Sequence, residues 1–136
     1  MRSFILRNNH FDISPIVVEL KVQPEDGEGW REFTLKLVAG APAAATVAEC
    51  AGSLSREDFA FLFDSLEAAT RGTAFDFSPL ESWFILRVQE YSEQEVEMLW
   101  VVDQGMARQS TGTDTGIGVL IIVSKADLAD ALAASA

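Results

Sequence analysis

Apolar and polar side chains alternate in two stretches near the start of the chain, and this pattern restricts the fold strongly. In residues 16–23 and again in residues 30–38, every second side chain is apolar. Because side chains on a β-strand point alternately to its two faces, each stretch predicts a strand with one buried face. The acidic, glycine-containing segment 24–29 between them predicts a hairpin loop. A shorter alternation around Phe4 and Leu6 predicts a strand before them.

A helix is predicted over residues 55–71. Ser55 is a typical N-cap residue, and Asp58, three positions later, resembles the second member of a capping box. Apolar residues then recur at spacings of three and four, from Phe59 to Ala69, as in a helix with one buried face. Gly72 follows, where a glycine commonly ends a helix.

The second half of the chain returns to strands. They are predicted near residues 73–77, 84–89 and 95–102, and, after a loop over 103–116, at 117–123. This last run is almost continuously apolar, so it is expected to be covered on both faces. Ser124 and Asp127 then predict the start of an alanine-rich C-terminal helix.

The order of these elements shows no regular βαβ alternation. It predicts an α+β fold: a mainly antiparallel sheet of about six to eight strands, one central amphipathic helix and a C-terminal helix. The length of 136 residues predicts a single domain over 1–136. A short strand is also expected at residues 46–51, shortly before the central helix.

Net charge excludes one class of partner. The chain has 10 basic and 21 acidic residues, a formal net charge of −11, which repels the phosphate backbone of nucleic acids.

No apolar stretch approaches the length of a membrane span, and the first residues lack a signal-peptide pattern, so a cytoplasmic protein is expected. Cys50 is the only cysteine and is expected to be a small buried residue.

Motifs that resemble catalytic or metal sites are incomplete. The triplet Asp114-Thr115-Gly116 resembles that of aspartic proteases, but it occurs once and follows a polar segment instead of an apolar strand. His10 is the only histidine and lies in a polar turn. The acidic loop 24–29 lacks the ligand spacing of a calcium site. We therefore expect no catalytic residue, cofactor or metal.

The distribution of acidic residues predicts a binding surface. Residues 41–100 contain three basic and eleven acidic residues, eight of the eleven net negative charges. Glu93, Glu95 and Glu97 alternate along one predicted strand and would share a face, while Glu90 would close the hairpin from the facing strand. Tyr91 beside them is a candidate aromatic anchor, as are the three tryptophans. A basic protein partner would bind such a surface, although charged strands also protect sheets from aggregation.

The chain also resembles a known family. The features are the stretch Ala48-Glu49-Cys50-Ala51-Gly52, the helix start at residues 53–59 followed by Leu62, Leu66 and Gly72, the segment Phe77-Ser78-Pro79-Leu80-Glu81, and the final Asp127-Leu128 helix. In this order and apolar spacing, residues 30–134 resemble the WapI-type family of small bacterial proteins. The resemblance implies a cytoplasmic, non-enzymatic immunity protein that neutralises a polymorphic toxin domain by binding it, and it implies no particular site residues.

Two alternatives stay open. One is an enzyme or small-ligand binder that uses a pocket between the helix and the sheet, with Asp103, Asp114 or Glu81 as its polar groups. The other is a self-associating structural module, a homodimer in the simplest case.

Overall fold

The chain forms an α+β fold, as predicted, in a computed structural model that describes residues 1–10, 14–40, 45–103, 105–106 and 116–135. The described residues form two four-stranded antiparallel sheets. The first contains β1 (Arg2–Arg7), β2 (Ile16–Val22), β3 (Trp30–Ala39) and β4 (Ala45–Ser55); the second contains β5 (Phe75–Phe77), β6 (Phe84–Glu90), β7 (Glu95–Asp103) and β8 (Gly116–Ser124). Helix α1 (Arg56–Ala69) joins the sheets, and α2 (Lys125–Ser135) follows β8.

The strands of each sheet lie side by side in chain order, because each is joined to the next by antiparallel pairing. The apolar residues that alternate along the strands face a common core between the two sheets. Aromatic rings connect the layers: Phe33 meets Phe84 with 5.4 Å between ring centroids, and Phe4 meets Trp100 at 6.4 Å. The sheets therefore bury one face each and leave their outer faces free of the other sheet.

Helix α1 buries the predicted apolar stripe. Leu62, Phe63, Leu66 and Ala69 are buried, and the Phe63 ring contacts the Phe4 ring of β1. Ser55 is the N-cap, since its Oγ accepts a hydrogen bond of 3.1 Å from the Asp58 backbone N–H. Such a cap contributes about 1 kcal/mol.

The predicted capping box does not close, because the Asp58 carboxylate is used elsewhere. Its Oδ2 accepts a hydrogen bond of 2.8 Å from the backbone N–H of Leu80, in the segment after β5. At the other end of the helix, Gly72 adopts a φ of +92°, the left-handed conformation that favours glycine, and its N–H donates to the Ala69 carbonyl. Gly72 therefore follows the helix as predicted, although α1 ends at Ala69, two residues before the predicted end at Arg71.

Strand β4 is longer than predicted and runs to Ser55, where α1 begins at the next residue. Gly52 does not interrupt it, because the indole of Trp83 packs on this glycine and a Cβ there would collide with the ring. A glycine in a strand is thus used for close packing instead of for a turn.

The expectation that β8 is covered on both faces is wrong. Val119, Ile121 and Val123 are buried, but Leu120, which points to the opposite face, is 53% exposed. The physical reason is that the first sheet packs on the inner face of the second sheet only. A continuous apolar run therefore produces a strand with apolar residues on its outer face as well.

Two asparagines at the end of β1 connect the two sheets. Asn8 is 8% exposed; its Oδ1 accepts a hydrogen bond of 2.9 Å from the Ile122 backbone N–H, and its Nδ2 donates to the Ser14 carbonyl at 3.1 Å. The backbone N–H of Asn9 donates to the Ile122 carbonyl at 2.7 Å. Backbone groups of β8, an edge strand, are satisfied in this way by the other sheet.

Cys50 is buried on the inner face of β4, as predicted. Burial, and to a smaller extent the nearby charge of Glu49, raises the pKa of its thiol to about 12.

Candidate protein-binding surface

The predicted acidic residues lie at the hairpin between β6 and β7, but they do not share one face. Glu95 and Glu97 are on β7, where the buried residues Val96 and Met98 alternate with them, so both carboxylates point to the outer face of the second sheet. Glu93 lies in the turn that precedes Glu95. Its predicted alignment with the other two on a strand is wrong, because β7 begins only at Glu95.

Glu90 also departs from the prediction. It occupies the last position of β6, on the inner side, where its Oε2 lies 2.7 Å from the Nζ of Lys125 at the start of α2. A Cβ at Gly72 would collide with this carboxylate, so Glu90 packs over the end of α1 as well. Lys125 further donates to the Glu93 carbonyl at 2.9 Å. We conclude that Glu90 joins the hairpin to both helices and is not a free carboxylate of the outer face.

The two outward-pointing carboxylates of β7 are held by neutral hydrogen-bond donors. Glu97 Oε1 accepts from Gln89 Nε2 at 2.7 Å, and Glu95 Oε2 accepts from Asn9 Nδ2 at 2.6 Å. These bonds fix the position of each carboxylate without supplying an opposite charge. Tyr91, in the turn, is 57% exposed and lies beside Glu93 in sequence.

Apolar side chains continue this face beyond the carboxylates. On β7, Leu99 and Val101 follow Glu97 at alternate positions, and Leu99 pairs across the ladder with the exposed Leu120 of β8. Leu99 and Leu120 line a cavity of about 660 Å³ together with Glu97 and Arg87. The outer face thus has an apolar floor with a carboxylate at its edge.

Charged groups surround this floor unequally. Arg87, on β6, lies 3.6 Å from Asp76 of β5, and both side chains are about 70% exposed. On the hairpin side are Glu93, Glu95 and Glu97. The surface defined by these five charged residues and the apolar pair Leu99 and Leu120, here called the outer face, has four carboxylates and one guanidinium.

The residues proposed for a pocket between helix and sheet do not assemble into such a site. Asp103 is buried at the end of β7, and its Oδ1 accepts a hydrogen bond of 2.9 Å from the Met106 backbone N–H. Glu81 accepts from the indole N–H of Trp83, two residues away, at 3.2 Å. Asp114 lies outside the described residues. The cavity of about 410 Å³ between α1 and α2 is lined by other side chains, Arg2 and Glu67 among them.

Two of the three tryptophans pack in the core or against it. Trp100 is fully buried, and Trp83 packs partly buried on Gly52. Within the described ranges, no group of three or more histidine, cysteine or acidic side chains is arranged to hold a metal ion. Among the helices of the same ranges, none is both long and apolar enough to span a membrane.

Comparison with known proteins identifies a similar fold. No family model matches the chain, and no curated protein matches it in sequence. A solved structure, that of the plant transcriptional regulator PBF-2, is similar over 97% of this chain and 76% of the other, with a TM-score of 0.54 and 12% sequence identity. At this identity the similarity concerns the fold, and the WapI-type resemblance stays a prediction.

Sequence reasoning found the acidic part of the outer face and missed its apolar part. The alternation that places Glu95 and Glu97 on one side of β7 continues to Leu99 and Val101, so it contained the missing signal. Pairing of Leu99 with Leu120 depends on the register between β7 and β8, which the sequence does not show.

Proposed function

We propose that the protein is a non-enzymatic binding protein that holds a basic protein partner on the outer face, as an immunity protein would hold a toxin domain. The observation that carries the proposal is the pair formed by the half-buried Leu99 and the exposed Leu120 beside the carboxylate of Glu97. Stable protein interfaces commonly combine an apolar centre with a polar, charged rim. The WapI-type resemblance points to the same class of function.

Electrostatics favours a basic partner over other macromolecules. The net charge of −11 and the excess of carboxylates on the outer face attract a cationic surface and can raise the association rate by roughly 10–1,000-fold at low salt. The same charges repel nucleic acid phosphates. The fold shared with a transcriptional regulator is therefore no basis for proposing nucleic acid binding here.

The test uses the purified protein and any basic, toxin-like domain encoded beside its gene. In the double variant Glu95→Lys and Glu97→Lys, the association rate constant at low ionic strength should fall by roughly tenfold or more. The matched control is Glu19→Lys with Glu49→Lys, two glutamates on the outer face of the first sheet. Both variants change the net charge equally, so only a local effect separates them.

Three results would contradict the proposal. Equal rate losses in the two variants would indicate general charge attraction without a defined surface. Unchanged rates in both would place the interface elsewhere. The absence of any toxin-like reading frame next to the gene, together with no protection of cells against a basic toxin domain, would remove the immunity role.

A further inference from the structure

A second exposed apolar cluster lies on the other side of β5. Phe61 of α1 is 51% exposed, although its ring stacks on Phe77 with 5.9 Å between centroids and 19° between planes. The Phe61 ring also meets the Phe75 ring in a T-shaped contact, with 6.5 Å between the ring centroids. These contacts hold a large aromatic ring in a fixed position while half of its surface faces solvent.

Leu80 extends this cluster and is 75% exposed. The hydrogen bond from its backbone N–H to Asp58 Oδ2 ties the segment after β5 to the first turn of α1, one helical turn from Phe61. Phe61, Phe75 and Leu80 are here called the helix patch. A large aromatic ring held in a fixed position, as Phe61 is, is the kind of group that dominates binding energy at protein interfaces.

Carboxylates flank the helix patch along α1. Glu57 and Asp64 are four residues before and three residues after Phe61, the spacings that place side chains next to each other on a helix surface. Both are exposed, and neither has an ion pair among the described residues, although the charge of Arg56 acts on Glu57 and that of Arg2 acts on Asp64 at longer range. Arg56, the cation nearest in sequence, is instead bound to Glu25 of the β2–β3 loop with 2.7 Å between Nε and Oε1.

We propose that the helix patch is an anchor site for a basic, amphipathic helical segment of the partner, one that places an apolar side chain against Phe61 and lysines or arginines opposite Glu57 and Asp64. The inference rests on the proposed function for the class of partner and adds where that partner is held. Charge complementarity favours this occupant over a second copy of the chain, whose own patch would bring carboxylates against carboxylates. The two surfaces meet at β5, because Phe75 and Asp76 also line the cavity of the outer face.

The experiment measures binding of a synthetic helical peptide about four turns long, with leucines on one face and lysines elsewhere, by fluorescence anisotropy. Phe61→Ser and Leu80→Ser should each weaken binding, by roughly tenfold for Phe61. The double variant Glu57→Lys and Asp64→Lys should weaken it at low salt. Because Leu80 is mostly exposed, its variant tests the site without endangering the fold.

Control measurements separate this inference from the proposed function. Binding of the peptide should survive Glu95→Lys with Glu97→Lys, which alters the outer face alone; loss of binding in that variant would place the peptide on the outer face and overturn the inference. Equal binding of a peptide with glutamates in place of lysines would also overturn it. So would a dimer in sedimentation that Phe61→Ser dissociates, since the occupant would then be a second copy. Failure of the toxin-domain test with normal peptide binding would instead count against the proposed function only.

Discussion

Replacement of Asn8 by alanine should destabilise the protein more than its small size suggests. The amide oxygen of Asn8 accepts from the Ile122 N–H, and the amide nitrogen donates to the Ser14 carbonyl. Because Asn8 is 8% exposed, the Ile122 N–H would lose its partner in a site that water reaches poorly, whereas the Ser14 carbonyl would keep its hydrogen bond from the Ile16 N–H. A buried group left without its partner costs about 1–3 kcal/mol. The expected loss in the free energy of unfolding is therefore roughly 1–3 kcal/mol.

Asn9 provides the control for this measurement. Its side chain makes one exposed hydrogen bond, to Glu95 Oε2, so Asn9→Ala should cost less than about 1 kcal/mol. Urea denaturation followed by circular dichroism gives both free energies, and equal slopes with denaturant ensure that the two are comparable. Equal losses for the two variants, or a loss below about 1 kcal/mol for Asn8→Ala, would refute the view that Asn8 joins the sheets.

Three further changes test other parts of the structure. Leu66→Ala, at a fully buried position of α1, should lower the free energy of unfolding by about 2–5 kcal/mol in the same denaturation assay. The Cys50 thiol, whose pKa is raised to about 12, should react with a thiol reagent at pH 8 only after unfolding; fast labelling of the native protein would contradict its burial. Glu90→Gln should cost about 1 kcal/mol through the loss of the Lys125 ion pair and leave the association rate with a basic partner nearly unchanged; a rate loss as large as that of the Glu95 and Glu97 variant would return Glu90 to the binding surface.

Local patterns in the sequence predicted the elements well, because a strand with one buried face and a helix with one buried stripe each leave a periodic signal. The Ser55 cap and the position of Gly72 were also readable, since both depend on neighbouring residues. The apolar run of β8 was misread because a continuous run fits both a strand buried on two faces and a strand with an exposed apolar face. Only the one-sided packing of the second sheet decides between them.

The candidate surface was partly predictable for the same reason. Alternation placed Glu95 and Glu97 together, since that relation is local to one strand. The role of Glu90 was not predictable, because it depends on Lys125, 35 residues away, and on the glycine at the end of α1. Phe61 lies outside the predicted apolar stripe of α1, and its contacts with Phe75 and Phe77 depend on where β5 packs, which the sequence does not show.

Methyl-resolved NMR of the protein, titrated with a basic toxin-like domain, tests most directly whether the outer face binds a basic partner. Leucine and isoleucine methyl groups occur on both sheets, so the spectrum reports on each face at once. We expect the signals of Leu99 and Leu120, on the outer face of the second sheet, to shift or broaden, while Ile5, exposed on the outer face of the first sheet, stays unchanged. Shifts at Ile5 with none at Leu99 and Leu120 would contradict the proposed interface.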